Sequence, residues 1–96
     1  MLKIGLIGCG RIGSMHANIL KQEDDVILEA VYDINTSLAK TVSQKTGAKL
    51  CNEDFELFNN KDINAILIAS ATSSHADYIE KALTNGKSVF CEKPID

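Results

Sequence analysis

The sequence predicts an α/β domain built on a doubly wound parallel sheet with spatial strand order 3-2-1-4-5. Three observations carry that expectation. Strand-like and helix-like apolar patterns alternate from end to end, with no repeat, linker or low-complexity tract between them. The first run, Leu2 to Ile7, is apolar in the manner of a strand buried on both faces of a parallel sheet. A glycine-rich turn then leads into a helical pattern, and right-handed crossovers convert such a series into a parallel sheet with helices on both sides.

The elements follow in order. After the turn, Ile12, Met15, Ile19 and Leu20 recur at helical spacing and predict a helix with these residues on its buried stripe, ending near Gln22. Val26 to Tyr32 is the second strand, closed by Asp33. Thr36 or Ser37 can start a second helix, which Gly47 stops as a C′ residue. Ala48 to Cys51 is a short third strand and Asp54 to Phe58 a short helix. Ala65 to Ala69 is a fourth, buried strand. Ser73 or Ser74 can cap the next helix, whose apolar positions are Ala76, Ile79, Ala82 and Leu83. Asn85-Gly86 ends it, and Lys87 to Cys91 makes the fifth strand.

Composition bounds the function. At 96 residues the chain holds one domain, residues 1–96. Its 45% hydrophobic and 24% charged residues are those of a globular domain. The net charge of −3 and the scattered Lys and Arg leave no basic stripe, so nucleic acid is not an expected partner. The apolar start is too short for a membrane span or a signal segment. No membrane partner is expected, and the chain reads as cytoplasmic. Cys9, Cys51 and Cys91 are odd in number and not closely paired, which fits reduced thiols in that compartment. Neither histidine has a partner at metal-ligand spacing.

Gly8-Cys9-Gly10-Arg11-Ile12-Gly13 is a G-x-G-x-x-G run between the first strand and the first helix. Gly8 permits the tight turn, Gly10 lets backbone approach a pyrophosphate, and Gly13 lets helix pack on strand. The motif alone is weak. It gains from its position and from Asp33, which ends the second strand about twenty positions past Gly13, where a ribose-binding carboxylate belongs. The reading is a Rossmann dinucleotide site. Asp33 would accept the ribose 2′-OH and repel a 2′-phosphate, and Ile34-Asn35-Thr36 brings no cation, so NAD is favoured over NADP. Asp33 can also be read as a helix-capping acid, and Arg11 as either a pyrophosphate contact or a solvated side chain.

Two further polar clusters follow strands four and five, at the strand ends where ligands of open α/β sheets bind. They are Ser70-Ala71-Thr72-Ser73-Ser74-His75 and Glu92-Lys93-Pro94. Ala71, Thr72, Glu92 and Lys93 are therefore candidate cofactor contacts, with Ile12 and Ile34. Lys93 is also a candidate for proton transfer at a substrate hydroxyl, against the plain reading of a solvated lysine. His75 can touch cofactor or substrate, or serve the helix start. His16, beside the first helical stripe, reads as packing or a surface hydrogen bond. Cys9 and Cys91 read as small filler near that edge.

On these residues the chain resembles the N-terminal domain of the glucose-fructose oxidoreductase, inositol dehydrogenase and rhizopine-catabolism oxidoreductase family. The resemblance runs the whole length: the glycine loop with His16-Ala17, Tyr32-Asp33, and the stretch from His75 through Ala82-Leu83 and Gly86-Lys87 to Glu92-Lys93-Pro94. It implies an NAD-dependent oxidation of a secondary alcohol in a polyol or sugar, and the loop looks most like that of inositol 2-dehydrogenases. It further implies that Lys93 lies between nicotinamide and substrate, that Pro94 follows a cis peptide, and that the parent is a homo-oligomer. The catalytic Asp and His of the family belong to a C-terminal substrate domain, so this stretch alone is expected to bind NAD weakly and not to turn over a polyol. The fifth strand is expected to be an open sheet edge able to pair with another copy. Ala71-Thr72-Ser73 lacks the proline many members carry there.

Two rival classes use similar parts. A non-catalytic dinucleotide sensor cradles phosphates without chemistry and has no need of Lys93. A methyl-donor-binding transferase also uses glycines and an acid, but without a third glycine placed as Gly13 is.

Overall fold

The computed structural model of the chain describes residues 1–70 and 75–91. The elements are β1 (Leu2–Ile7), α1 (Arg11–Lys21), β2 (Val26–Tyr32), α2 (Thr36–Thr46), β3 (Lys49–Leu50), α3 (Phe55–Phe58), β4 (Ala65–Ile68), α4 (His75–Thr84) and β5 (Ser88–Cys91). Every strand pairing described is parallel, and the order is β3-β2-β1-β4-β5, as the sequence predicts. The chain moves outward from β1 to β3, crosses back beside β1 with β4, and continues to β5. The switch point therefore falls between β1 and β4.

Period-two alternation along the strands divides the core between two faces. Leu6 and Val31 pack with Ala17 of α1 and with Ala39 and Val42 of α2. Ile7, Ala30 and Tyr32 pack on the other face with Leu57, Phe58, Tyr78 and Ala82 from α3 and α4. Leu6, Leu57 and Ile66 are wholly buried, and each such side chain contributes roughly 1.5–3 kcal/mol by leaving water.

Both predicted helical stripes are shifted. On α1 the buried residues are Gly13 and Ala17, while Met15 and Ile19 are about half exposed. Close approach to the sheet requires small residues at the contact, so the large ones flank it. On α4 the buried residues are Tyr78 and Ala82; Ala76 and Leu83 are exposed and Ile79 packs at the margin. The Tyr78 ring takes the inward position because it removes the most apolar surface from water.

Two local expectations also change. β3 has two ladder residues where four were expected, although Ala48 and Cys51 on either side are buried. α2 is capped by Asn35, whose side chain accepts from the Ser37 amide at 3.1 Å, and not by Thr36, Ser37 or Asp33. Lys87, only 6% exposed, precedes β5 and donates from Nζ to the carbonyls of Asn60 and Ile63 at 2.7 and 2.9 Å. Burial pulls its pKa below that of an ordinary lysine, and its two bonds fasten the turn after α3 to the start of β5.

Candidate functional site

The carboxyl ends of β1, β2 and β4 open into one cleft of about 340 Å³, lined among others by Gly8, Gly10, Asp33, Ile34, Ser70 and Tyr78. Its floor is the turn between β1 and α1. Gly8 has φ +99°, a left-handed conformation, and a Cβ there would meet the Ala69 carbonyl carbon and the Ser70 nitrogen at 2.6 Å. A Cβ on Gly13 would collide with the Gly8 carbonyl group, its carbon at 2.6 Å. Both glycines are thus demanded by the packing of strand against helix.

Gly10 is different. Its φ of −73° and ψ of −158° suit any residue, and a Cβ there would meet nothing within 4 Å. Nothing in the fold asks for glycine at this position. It is also the N-cap of α1, brings no capping side chain, and is followed by a first turn without an acidic residue. The amides opening α1 therefore receive no capping side chain from Gly10, and the positive end of the helix dipole begins where Gly10 lines the cleft, an arrangement suited to an anion. The open space at Gly10 lets that anion come close to backbone.

Asp33 stands beside this turn. Its Oδ2 accepts from the Cys9 amide at 2.7 Å and its Oδ1 from the Asn35 amide at 2.8 Å. Each carboxylate oxygen keeps a lone pair for a further donor, such as a ribose hydroxyl. Cys9 itself is fully engaged: its amide goes to Asp33, its Sγ donates to the Tyr32 carbonyl at 3.6 Å, and its carbonyl accepts from Ser14 Oγ at 3.1 Å. Burial, and then the neighbouring Asp33 charge, push the Cys9 thiol up to about 12. It is a packed thiol with no thiolate to offer.

The far wall comes from β4 and α4. Tyr78 stacks on Phe58 with ring centroids 6.1 Å apart, and burial raises its hydroxyl pKa, so it stays protonated. Ser70 Oγ is buried and has no hydrogen-bond partner among the described residues, a state that costs about 1–3 kcal/mol. His75 bonds through Nε2 to the Ser70 carbonyl at 2.7 Å, joining α4 to the end of β4.

Of the residues singled out from sequence, Gly8, Gly10, Asp33 and Ile34 line the cleft, with Ile34 84% exposed at its rim. Gly13 supports it from beneath, Arg11 is exposed at the helix start, and Ile12 is half-buried. Cys91 is exposed, not filler. Ala71, Thr72, Ser73, Ser74, Glu92, Lys93 and Pro94 lie outside the described residues. Sequence reasoning placed Ser70 in the polar cluster at this edge without choosing it as a contact, and did not select Tyr78. Ser70 directly follows the strand at the switch point, a position that could have marked it, whereas Tyr78 gave no such signal. Among the described residues no three His, Cys, Asp or Glu side chains gather as a metal site, and no helix is long and apolar enough to cross a membrane.

The residues present fit a dinucleotide. The amides opening α1 suit its diphosphate, the space at Gly10 admits it, and the Asp33 carboxylate suits a ribose diol. Comparison with known proteins agrees with that chemistry. The chain is 37% identical over 95 residues to the myo-inositol 2-dehydrogenase of Thermotoga maritima, matching 98% of this chain and 28% of that protein. A crystal structure of a myo-inositol dehydrogenase from Corynebacterium glutamicum superposes with TM-score 0.91 at 38% identity, covering 100% of this chain and 29% of that one. That of the scyllo-inositol dehydrogenase of Lactobacillus casei, with bound NAD(H) and scyllo-inositol, gives 0.89 at 33%, covering 98% and 28%. The chain thus spans somewhat over a quarter of the length of these relatives. A profile described as "Oxidoreductase family, NAD-binding Rossmann fold" matches residues 2–96, and the chain belongs to that family, the glucose-fructose oxidoreductase, inositol dehydrogenase and rhizopine-catabolism oxidoreductases.

Proposed function

We propose that residues 1–96 form the dinucleotide-binding domain of a longer cytoplasmic oxidoreductase that oxidises a secondary alcohol of a cyclitol or sugar with NAD, myo-inositol at its 2-position being the favoured substrate. The observation that carries the cofactor half of this reading is Gly10, a glycine the fold does not require, at the one place where a diphosphate would need the room. The substrate half is supported by the inositol dehydrogenases among the relatives.

Bound nicotinamide would supply the hydride acceptor. The amides at the start of α1 would hold the diphosphate, with Gly10 admitting it. Asp33, already fixed by two amide donors, would accept the adenosine ribose hydroxyls and repel a 2′-phosphate, which favours NAD over NADP. Lys93 would take up or relay the proton of the substrate hydroxyl, as the family resemblance implies. Glu92, Ala71, Thr72 and His75 are further candidate contacts. The remaining catalytic groups, the substrate pocket and the contacts of a homo-oligomer would come from outside residues 1–96.

Titration calorimetry of the chain with NAD and NADP tests the proposal. NAD should bind, with NADP at least tenfold weaker, a difference of about 1.4 kcal/mol. Absence of binding by either nucleotide would overturn the cofactor reading, and equal affinities would overturn the role given to Asp33.

A further inference from the structure

We propose that Ser14 is a positioning residue for the diphosphate, its hydroxyl holding the peptide between Cys9 and Gly10 so that the Gly10 N–H is presented to the anion; the inference rests on the NAD reading above. Ser14 grips the glycine turn twice. Its Oγ donates to the Cys9 carbonyl at 3.1 Å, and its amide donates to the Gly10 carbonyl at 2.8 Å. Two successive carbonyls of the turn are thus drawn toward Ser14. The described peptide bonds are all trans, and a planar trans peptide points its N–H opposite to its C=O. The amides of Gly10 and Arg11 share those two peptide planes and therefore turn away from Ser14. Successive amides turned alike form a concavity that holds anions, and Gly10 lines the cleft.

The hydroxyl matters because glycine leaves this peptide loose. Swinging the plane between Cys9 and Gly10 changes φ at Gly10, where no Cβ exists and the surrounding space is open, so sterics there resist the motion little. The peptide on the other side of Cys9 has its own anchor, since the Cys9 amide donates to Asp33 at 2.7 Å. Asp33 and Ser14 thus fix the two peptides flanking Cys9, one from the end of β2 and one from α1. Of the two bonds Ser14 makes, the one from its amide survives any substitution but proline. Only the one from Oγ depends on the side chain. A glycine that admits the diphosphate loosens the amide beside it, and the Ser14 hydroxyl holds that amide before the ligand arrives, which lowers the ordering cost of binding.

The test compares Ser14→Ala and Ser14→Thr with the unsubstituted chain, by calorimetry with ADP and NAD, by thermal unfolding, and by the backbone amide resonances of the unliganded proteins. Ser14→Ala should weaken both nucleotides by roughly three- to tenfold, the worth of one hydrogen bond. Its Gly10 amide resonance should shift or broaden, while that of Arg11, still held through the Ser14 amide, moves less. Ser14→Thr keeps a hydroxyl and should bring affinity and resonance back toward those of the unsubstituted chain. Undiminished binding by Ser14→Ala would overturn the inference and leave the NAD reading standing. So would an unmoved Gly10 resonance, or a Ser14→Thr chain that melts like the unsubstituted one yet binds like Ser14→Ala. Failure of the unsubstituted chain to bind either nucleotide would sink the dinucleotide reading itself and this inference with it, an outcome distinct from a defect seen only in the variant.

Discussion

Gly10→Ala separates what the fold needs from what a ligand needs. The backbone at Gly10 is open to any residue, and the added methyl meets no atom within 4 Å. Two small terms then act on stability. Alanine restricts the unfolded chain and stabilises by about 0.4–1 kcal/mol, while as an N-cap it is poorer than glycine by up to about 1 kcal/mol. The melting temperature should therefore stay within roughly 8 °C of the parent, about 4–8 °C per kcal/mol for a domain of this size. Affinity for NAD should drop at least tenfold, because the methyl occupies the space the diphosphate needs. Gly13→Ala is the counterpart: its Cβ would run into the Gly8 carbonyl, so α1 must back away from β1 at a cost of about 1–3 kcal/mol or more. Thermal unfolding and calorimetry on both variants decide the matter. Undiminished NAD binding by Gly10→Ala would refute the reasoning, as would a Gly13→Ala protein that melts like the parent.

Further outcomes follow from the same geometry. Asp33→Asn can keep only one of the two amide bonds, since an amide nitrogen cannot accept; NAD should weaken and the preference over NADP collapse, as paired titrations would reveal. Cys91 is exposed while Cys9 and Cys51 are buried, so a thiol reagent on the native chain should modify Cys91 first and the other two only on unfolding, measurable by mass spectrometry. The Glu56 carboxyl is held below its ordinary pKa by the amides of Glu53 and Asn52. Its contribution is present above about pH 4.5 and lost as pH falls through the lowered value; E56Q should flatten that acid limb in pH-dependent denaturation. Residues 1–96 mixed with NAD and myo-inositol should give no steady NADH absorbance, and sustained turnover would contradict the proposal that the remaining catalytic groups lie outside these residues.

Much of this architecture was legible because it depends on patterns a sequence displays directly. Apolar runs such as Ala65–Ile68, alternating with helical segments, fix a parallel sheet, and crossover handedness leaves few strand orders to choose from. What stayed hidden depends on distance between elements. Met15 and Ile19 look like core by periodicity, yet the closeness of α1 to β1 turns Gly13 and Ala17 inward. Asp33 could be read as a cap until its carboxylate was seen to bind the Cys9 amide across the strand, leaving the cap to Asn35. Ser70 was one serine in a polar cluster, and only its missing partner sets it apart.

The glycine fingerprint is accordingly two signals written in one alphabet. Gly8 and Gly13 would persist in any protein that packs a helix this tightly against the preceding strand, whatever it binds, because backbone atoms occupy the places of their side chains. A spacing search cannot tell them from Gly10. Building the missing Cβ atoms can: it leaves one glycine with no internal cause, beside helix amides awaiting an anion and a carboxylate already held in place. Since Asp33 also braces Cys9, the group that would read the ribose shapes the turn that would hold the diphosphate. Weakening one should weaken the other, so substitutions at Asp33 and Gly10 are expected to fall short of additive in NAD affinity, and strictly additive losses would mean that the two subsites act apart.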